Sequence, residues 1–397
     1  MMTDVIVVGG GLSALTAAWK LKQAGHSVKV MDQDSRPGGN MQTLERDGFR
    51  YETGPHSFMG SAEYMWELIR ELNFDDHVEK ALPVCNNRYI FRDGRLVALP
   101  LSAGSFFTSG ILSLKGKLRL CLEPFMPGGA NLDDTAWDFF VRRFGREAAT
   151  YIMSPFISGV YAGDVYKLGA ATAFPKFWNF ERENGSMILG AAVYMWKKKK
   201  RLRKAGIKYK KGLFSFRGGI GGLTVKLAQE LGNAVEFNKP VSAIMRHEEQ
   251  FYVQGDGWQE TASAVVLASP PGRTARIIRT LLPEASGVLK SIPMAPVSVV
   301  HWHHPADGDA FPQGFGFLVP RISGMHTLGT LFPSTFFNGR APDGKRLFVS
   351  FYGGMTEPET ADLSDDQLKE LVIQEHGEFF QRDVSRAEVL DILRYPQ

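Results

Sequence analysis

Gly9, Gly10 and Gly11 follow a short run of β-branched residues, and an acid, Asp32, stands 21 positions after Gly11. Residue types at that spacing suit the holding of a dinucleotide. Gly9 permits a tight turn, and Gly11 lets the backbone approach a pyrophosphate resting on the next helix N-terminus. Ala14 stands where a third glycine often occurs, its methyl small enough for helix–strand packing. Asp32 can accept hydrogen bonds from ribose hydroxyls. A second glycine-rich loop, Arg36-Pro-Gly-Gly39, follows closely, and Gly54-Pro55-His56 ends an aromatic-rich segment. Two such loops suit a longer cofactor than a nicotinamide dinucleotide; alone, the Arg36 loop also reads as an ordinary turn.

The elements around these residues supply the required context. Residues 4–9 read as a buried parallel strand, Leu12 to Leu21 as a helix, and residues 27–31 as a second strand. Residues 68–74 look helical. Residues 88–99 alternate around Asp93-Gly94, a hairpin signal. From about Leu101 to Lys211, helix-length patterns are broken by Gly and Pro and rich in aromatics. Strand-like sequence resumes at 214–222, followed by a helix (223–231), strands at 234–237 and 251–253, and a strand at 265–268 returning to the first domain. Residues 294–303 and 346–353 look like strands of another sheet, and 367–380 like a helix.

Composition excludes several classes. There are 46 Lys and Arg against 42 Asp and Glu, a net +4, but ten of the cations fall between Lys197 and Lys211 with no acid among them. The remaining chain is mildly acidic, so no nucleic-acid partner is expected. Cys85 and Cys121 make no disulfide framework or zinc spacing and suggest a reducing compartment. The start Met-Met-Thr-Asp lacks a basic leader, which reads as not secreted. The uncharged stretch from Leu96 to Leu114 is interrupted by Pro100, Gly104 and Gly110, poor for a spanning helix and tolerable for a segment at a membrane interface. His301 and His303 share a strand face but His304 does not, and no carboxylate or thiolate follows at ligand spacing. Strand-end or surface histidines are expected, with no metal.

Gly9 to Ala14, Asp32, Arg36-Pro-Gly-Gly39 and Gly54-Pro55 together resemble the FAD-dependent amine oxidase and protoporphyrinogen oxidase superfamily. Several segments resemble its oxygen-dependent porphyrinogen oxidase branch: Arg88-Tyr-Ile-Phe with Leu99-Pro100, Ser154-Pro-Phe-Ile-Ser-Gly-Val-Tyr-Ala-Gly-Asp164, Ala173-Phe-Pro-Lys-Phe177, Gly185-Ser-Met-Ile-Leu-Gly190, Ser215-Phe-Arg-Gly-Gly-Ile-Gly-Gly-Leu223 and Gln313-Gly-Phe-Gly-Phe-Leu-Val-Pro320. They run in order along nearly the whole chain. Asp32 departs from the pattern, being Glu in most of the superfamily.

The resemblance implies an α/β (α+β multidomain) fold with three parts. These are a Rossmann-like FAD-binding domain (1–85 and 214–290), a mixed-sheet substrate domain (86–100 and 291–397) and a helical membrane-docking insertion (101–213). It implies FAD contacts at Gly9, Gly11, Leu12, Ser13, Ala14, Asp32, Gln33, Arg36, Gly38, Gly39, Gly54, Pro55 and His56, at the Val241 backbone and at Ala268. The implied reaction, in heme biosynthesis, is dehydrogenation of a porphyrinogen, with hydride passing to the flavin and electrons to dioxygen. No general base is expected to be obligatory. Arg88 falls at the propionate-binding arginine, Phe315 and Leu318 at the macrocycle clamp, and Phe351 at a further apolar position; a surface arginine and plain core residues are the alternatives. The basic window closes the membrane-docking region, each cation worth about 1 kcal/mol near an anionic surface, and otherwise reads as a solvated loop. A cytoplasmic, peripheral membrane enzyme is expected, with homodimerisation left open. Family members continue past the position of Gln397 with a segment that approaches the flavin, so the chain as given is expected to hold FAD weakly or with partner contacts. Two other readings stand beside this one: an amine oxidase or carotenoid desaturase relative, and a non-catalytic binding module.

Overall fold

A computed structural model describes residues 3–204, 210–306 and 311–396. The chain resolves into two compact units, Met1–Lys80 with Lys211–Met294 and Ala81–Lys210 with Ala295–Gln397.

The first unit is organised on Thr3–Val8. This strand pairs in parallel with Val28–Met31 on one side and Trp258–Leu267 on the other. Val235–Glu236 extends the parallel part, while Gln250–Gly255 and Ala243–His247 continue it antiparallel. Both faces of the central strand are covered, which is why its sequence is apolar throughout rather than alternating. Val5 and Val7 pack with Leu15 and Ala18 of the helix Leu12–Gln23 and with Leu223 and Leu227 of the helix Gly222–Leu231. Ile6 and Val8 pack oppositely, with Met31, Val241, Ile244 and Ile277. Period-two alternation thus splits one strand between two cores.

The second unit holds a seven-stranded sheet in the order Glu388–Tyr395, Val297–Pro305, Lys345–Gly353, Thr327–Leu331, Gly316–Leu318, Arg88–Arg92 and Arg95–Ala98. All neighbours are antiparallel except Gly316–Leu318 with Arg88–Arg92. Asp93 and Gly94, at φ +52° and +73°, turn the last hairpin as their dipeptide predicts. On one face of the sheet, Val300, Trp302, Phe317, Phe348 and Tyr352 pack against Leu368, Val372 and Phe379 of the helix Asp365–Phe380. Ser364 and Gln367 cap that helix reciprocally. Inside this interface His376 Nδ1 lies 3.0 Å from the Val372 carbonyl, while Nε2 lies 2.8 Å from Thr330 Oγ1 and 3.1 Å from Ser350 Oγ.

The helices from Ala103–Thr108 to Met187–Lys204 belong to the same compact unit as this sheet. Where the sequence suggests a separate insertion over 101–213, Ser154–Tyr161 packs directly on Gly316–Leu318 and Thr327–Leu331. These helices keep their own aromatic core of Phe139, Phe140, Phe174 and Trp178. Buried Glu123 accepts from Arg143 Nε (2.7 Å), Ser186 Oγ (2.5 Å) and the Met187 amide (2.8 Å). Burial opposes ionisation of Glu123, but these hydrogen bonds hold its carboxyl below the ordinary range. The carboxylate thereby seats the N-terminus of Met187–Lys204, complementing its dipole.

Two sequence expectations change. His301, His303 and His304 are buried on Val297–Pro305, a strand paired on both edges as far as His303; surface placement is overturned, while His303 and His304 do stand near the strand's end. Among the described residues no group of three His, Cys, Asp or Glu gathers to hold a metal. The first part of the basic window is helical through Lys204 rather than a loop, and Lys208 lies outside the described residues.

Candidate functional site

In the first unit, the C-terminal end of Thr3–Val8 opens into a cavity of about 510 Å³. Gly9, Gly11, Leu12, Ser13, Asp32, Gln33, Gly38, Gly39, Pro55 and Ala268 all line it. This is where an open parallel sheet binds ligands, outside the carboxyl ends of its strands. Gly9 has φ +118°, and a Cβ there would lie 2.7 Å from the Ala268 carbonyl oxygen. A Cβ on Gly10 would lie 2.5 Å from Asp32 Oδ2. The glycines therefore keep a side-chain-free cradle in which the acid and the turn touch.

The second loop closes onto the first. The Gly38 amide donates to the Gly10 carbonyl at 2.8 Å. Leu12–Gln23 begins at Gly11 with no side-chain cap, leaving the positive end of the helix available to an anion. Burial pushes the Asp32 carboxyl above the ordinary carboxylate range, opposed by the Asp34 amide at 2.8 Å from Oδ1, by the Gly10 amide and by the charge of Arg273. A cradle free of Cβ atoms, a helix N-terminus, Arg273 and a buried ribose acceptor fit the diphosphate and ribose of FAD.

Other expected cofactor residues lie elsewhere. Ala14 is buried behind the turn among Leu15 and Ala18, and Gly54 packs where its Cβ would meet the Asn40 carbonyl at 2.2 Å. His56 is buried, and the Val241 side chain sits in the core with Ile6 and Met31. Arg36 lines a separate cavity of about 380 Å³, with His77, Arg217 and Lys226. Between Arg36 and the cradle the chain reverses at Gly38 and Gly39, both at positive φ. Sequence reasoning missed Asp34, Asn40, Ser269 and Arg273 in the main cavity. Arg273 had a usable signal: it follows the second parallel strand beside the glycine strand, at the topological switch point.

In the second unit, register aligns the expected substrate residues. Leu318 pairs with Gly329, and Gly329 with Phe351; Arg88 pairs with Gly316, two residues before Leu318. Arg88, Leu318 and Phe351 therefore share one sheet face, opposite the face that packs on Asp365–Phe380. Phe315 stands at its edge, with the Arg88 guanidinium 5.1 Å from its ring centre and Phe336 stacked at 5.0 Å. Arg88 is exposed, and Phe315, Leu318 and Phe351 are half-buried, unlike Phe317 and Phe348 on the opposite face. The face offers a cation beside an apolar floor.

A parallel sheet with a glycine cradle and a buried acid outside its carboxyl end defines a dinucleotide-binding fold. The chain belongs to the flavin containing amine oxidoreductase family, which it matches over residues 12–395. It is a flavoenzyme with FAD as its cofactor. It is 31% identical to the mitochondrial protoporphyrinogen oxidase of Nicotiana tabacum, over 93% of this chain and 79% of that one. It is 26% identical to the coproporphyrinogen III oxidase of Bacillus subtilis, over 94% and 82% respectively. A crystal structure from Exiguobacterium sp. 255-15, provisionally named protoporphyrinogen oxidase, superposes with a TM-score of 0.80 at 20% identity, covering 100% of this chain and 86% of that one. Among the described residues no helix is long and apolar enough to cross a membrane.

Proposed function

We propose that this chain oxidises a porphyrinogen to a porphyrin, with dioxygen reoxidising the flavin. The observation that carries this reading is the alignment of Arg88, Leu318 and Phe351 on one sheet face, with Phe315 against the Arg88 guanidinium. A porphyrinogen is an apolar ring bearing carboxylates; an arginine beside an apolar floor matches both parts. Guanidinium binds carboxylate directionally, and often through two parallel hydrogen bonds. When bound, FAD supplies the hydride acceptor for a methylene C–H of the macrocycle. The chain's own part is orientation: Arg88 takes a propionate, and Phe315, Leu318 and Phe351 hold the ring. Gly9, Gly11, Leu12, Ser13, Asp32, Gln33, Gly38, Gly39, Pro55 and Ala268 hold the nucleotide, with Arg273 added from the cavity. The remaining expected contacts, at Ala14, Arg36, Gly54, His56 and Val241, act from behind this lining or through the backbone.

In this reading 1–85 and 214–290 serve the cofactor, 86–100 and 291–397 the substrate, and 101–213 a membrane surface. The last role rests on apolar side chains left exposed on helices, with Leu114, Phe125 and Trp196 exposed by 81%, 79% and 62%. Lys197 to Lys204 extend the same helix as Trp196 without an intervening acid. Such a surface suits peripheral attachment to anionic headgroups from the cytoplasm. Flotation with vesicles containing anionic lipid should carry the wild type upward, and replacement of Lys197, Lys198, Lys199 and Lys200 by Gln should reduce it. Equal flotation with neutral vesicles would exclude the electrostatic part.

The deciding experiment is a visible spectrum of the flavin-loaded protein before and after anaerobic protoporphyrinogen or coproporphyrinogen. Flavin bleaching, followed in air by porphyrin fluorescence and peroxide, is the expected result. Peroxide from amines without porphyrin formation would instead favour the amine oxidase alternative. A monodisperse chain that takes up no flavin would favour a binding module.

A further inference from the structure

We infer that Gly159 is a positioning residue, setting where Leu318 presents its side chain to the macrocycle. The inference rests on the porphyrinogen reading and adds the residue that fixes one wall of that site.

The helix Ser154–Tyr161 lies against the strand carrying Leu318. A Cβ built on Gly159 would stand only 2.4 Å from Leu318 Cδ2, against an ordinary carbon contact of about 3.5–4.0 Å. Its next neighbour, the Leu328 carbonyl oxygen at 3.3 Å, is tight but tolerable. Leu318 is hemmed from a second side as well. A Cβ on Gly329, its partner in the sheet, would stand 3.0 Å from the same Cδ2 and 2.7 Å from the Phe317 carbonyl oxygen. Two backbones stripped of side chains therefore grip one leucine methyl.

The helix is itself held in place. It ends at Ala162 in the left-handed conformation, φ +49°, and the Ala162 carbonyl accepts from the Met355 amide at 2.8 Å. Met355 lies two residues beyond the strand carrying Phe351, Lys345–Gly353. The helix is thus tied to the strands of both apolar residues. Since Leu318 and Phe351 flank Gly329 in one row, the Leu318 rotamer sets the width of the floor between them.

The two glycines make different predictions. At Gly159 the obstructing atom is the end of a flexible side chain; at Gly329 it includes backbone. Gly159→Ala should fold, displace Leu318 and raise KM for porphyrinogen about tenfold, the cost of one methyl in a fitted apolar site. Flavin content and kcat should stay within about twofold. Adding Leu318→Ala should remove the obstruction, so that the double variant matches Leu318→Ala alone in KM and in melting temperature. Gly329→Ala should not be rescued by Leu318→Ala. An unchanged KM in Gly159→Ala, or a double variant worse than Leu318→Ala by the full Gly159→Ala effect, overturns the inference while leaving the porphyrinogen reading intact. A wild type that oxidises neither protoporphyrinogen nor coproporphyrinogen sinks that reading, and this inference with it.

Discussion

The glycine cradle of the first unit and the proposed substrate face of the second solve opposite problems. The cradle works by leaving side chains out: Gly9 and Gly10 have no room for a Cβ, and the groups offered to a ligand are largely backbone. The sheet face works by putting side chains in, Arg88, Leu318 and Phe351 standing at register positions on a framework that could carry others. Backbone recognition tolerates almost no substitution, whereas side-chain recognition can be retuned one residue at a time. Within one chain, the cradle is therefore rigid in sequence and the sheet face adjustable.

Variants can test that contrast. Gly10→Val places a branched side chain against Asp32 and should weaken flavin binding the most, about a hundredfold for a strain of a few kcal/mol. Flavin absorbance per polypeptide after gel filtration measures it, and full occupancy would break the comparison. Arg88→Ala should leave flavin content alone and raise KM for porphyrinogen about 10- to 100-fold, the worth of a charge-assisted carboxylate pair. Arg88→Lys should recover only part, because an ammonium cannot present the planar fork.

Asp32→Asn should cost about tenfold in flavin affinity, the loss of one charge-assisted hydrogen bond. Its pH behaviour sharpens the point. Burial raises the Asp32 carboxyl, so the wild type should lose flavin affinity as pH falls through that raised value, when the acceptor protonates. In Asp32→Asn that limb should be flat.

A separate test, of stability rather than binding, concerns the packed face of the sheet. Burial lowers the His376 imidazole from 6.5 to about 3. Between those values the unfolded chain binds a proton that the folded chain does not. Stability is therefore full above pH 6.5 and lost as pH falls toward 3, by about 2 kcal/mol at pH 5. Melting temperature against pH should show this slope in the wild type, and a shallower one in His376→Gln.

Legibility in the sequence follows the same division. The cradle could be read because its logic is local: a strand, three glycines and an acid at fixed spacing. The Asp93-Gly94 hairpin was legible for the same reason, since two residues dictate the turn. Contacts between distant segments were not. Nothing near Gly159 announces Leu318, and nothing near Gly10 announces that its missing side chain makes room for Asp32. The burial of His301 and His303 was missed because Glu388–Tyr395, which pairs along their strand, carries too weak an alternation to be read as a strand. Arg36 sat in a motif beside the cradle, yet a reversal at two glycines gives it another cavity.

The parallel pairing of Thr3–Val8 with Trp258–Leu267 has a further consequence, in time rather than space. Val8 meets Leu267, and the cradle is completed by Ala268 and Arg273. Everything between must leave the ribosome before the first strand gains its second neighbour. At roughly 5–20 residues per second, the amino-terminal glycine turn waits tens of seconds beside an unpaired strand edge. The helices from Ala103–Thr108 to Met187–Lys204 and the Arg88 hairpin are synthesised within that interval. The cradle, though first in sequence, therefore closes only once Arg273 has been made, yet ahead of the seven-stranded sheet, whose last strand is Glu388–Tyr395.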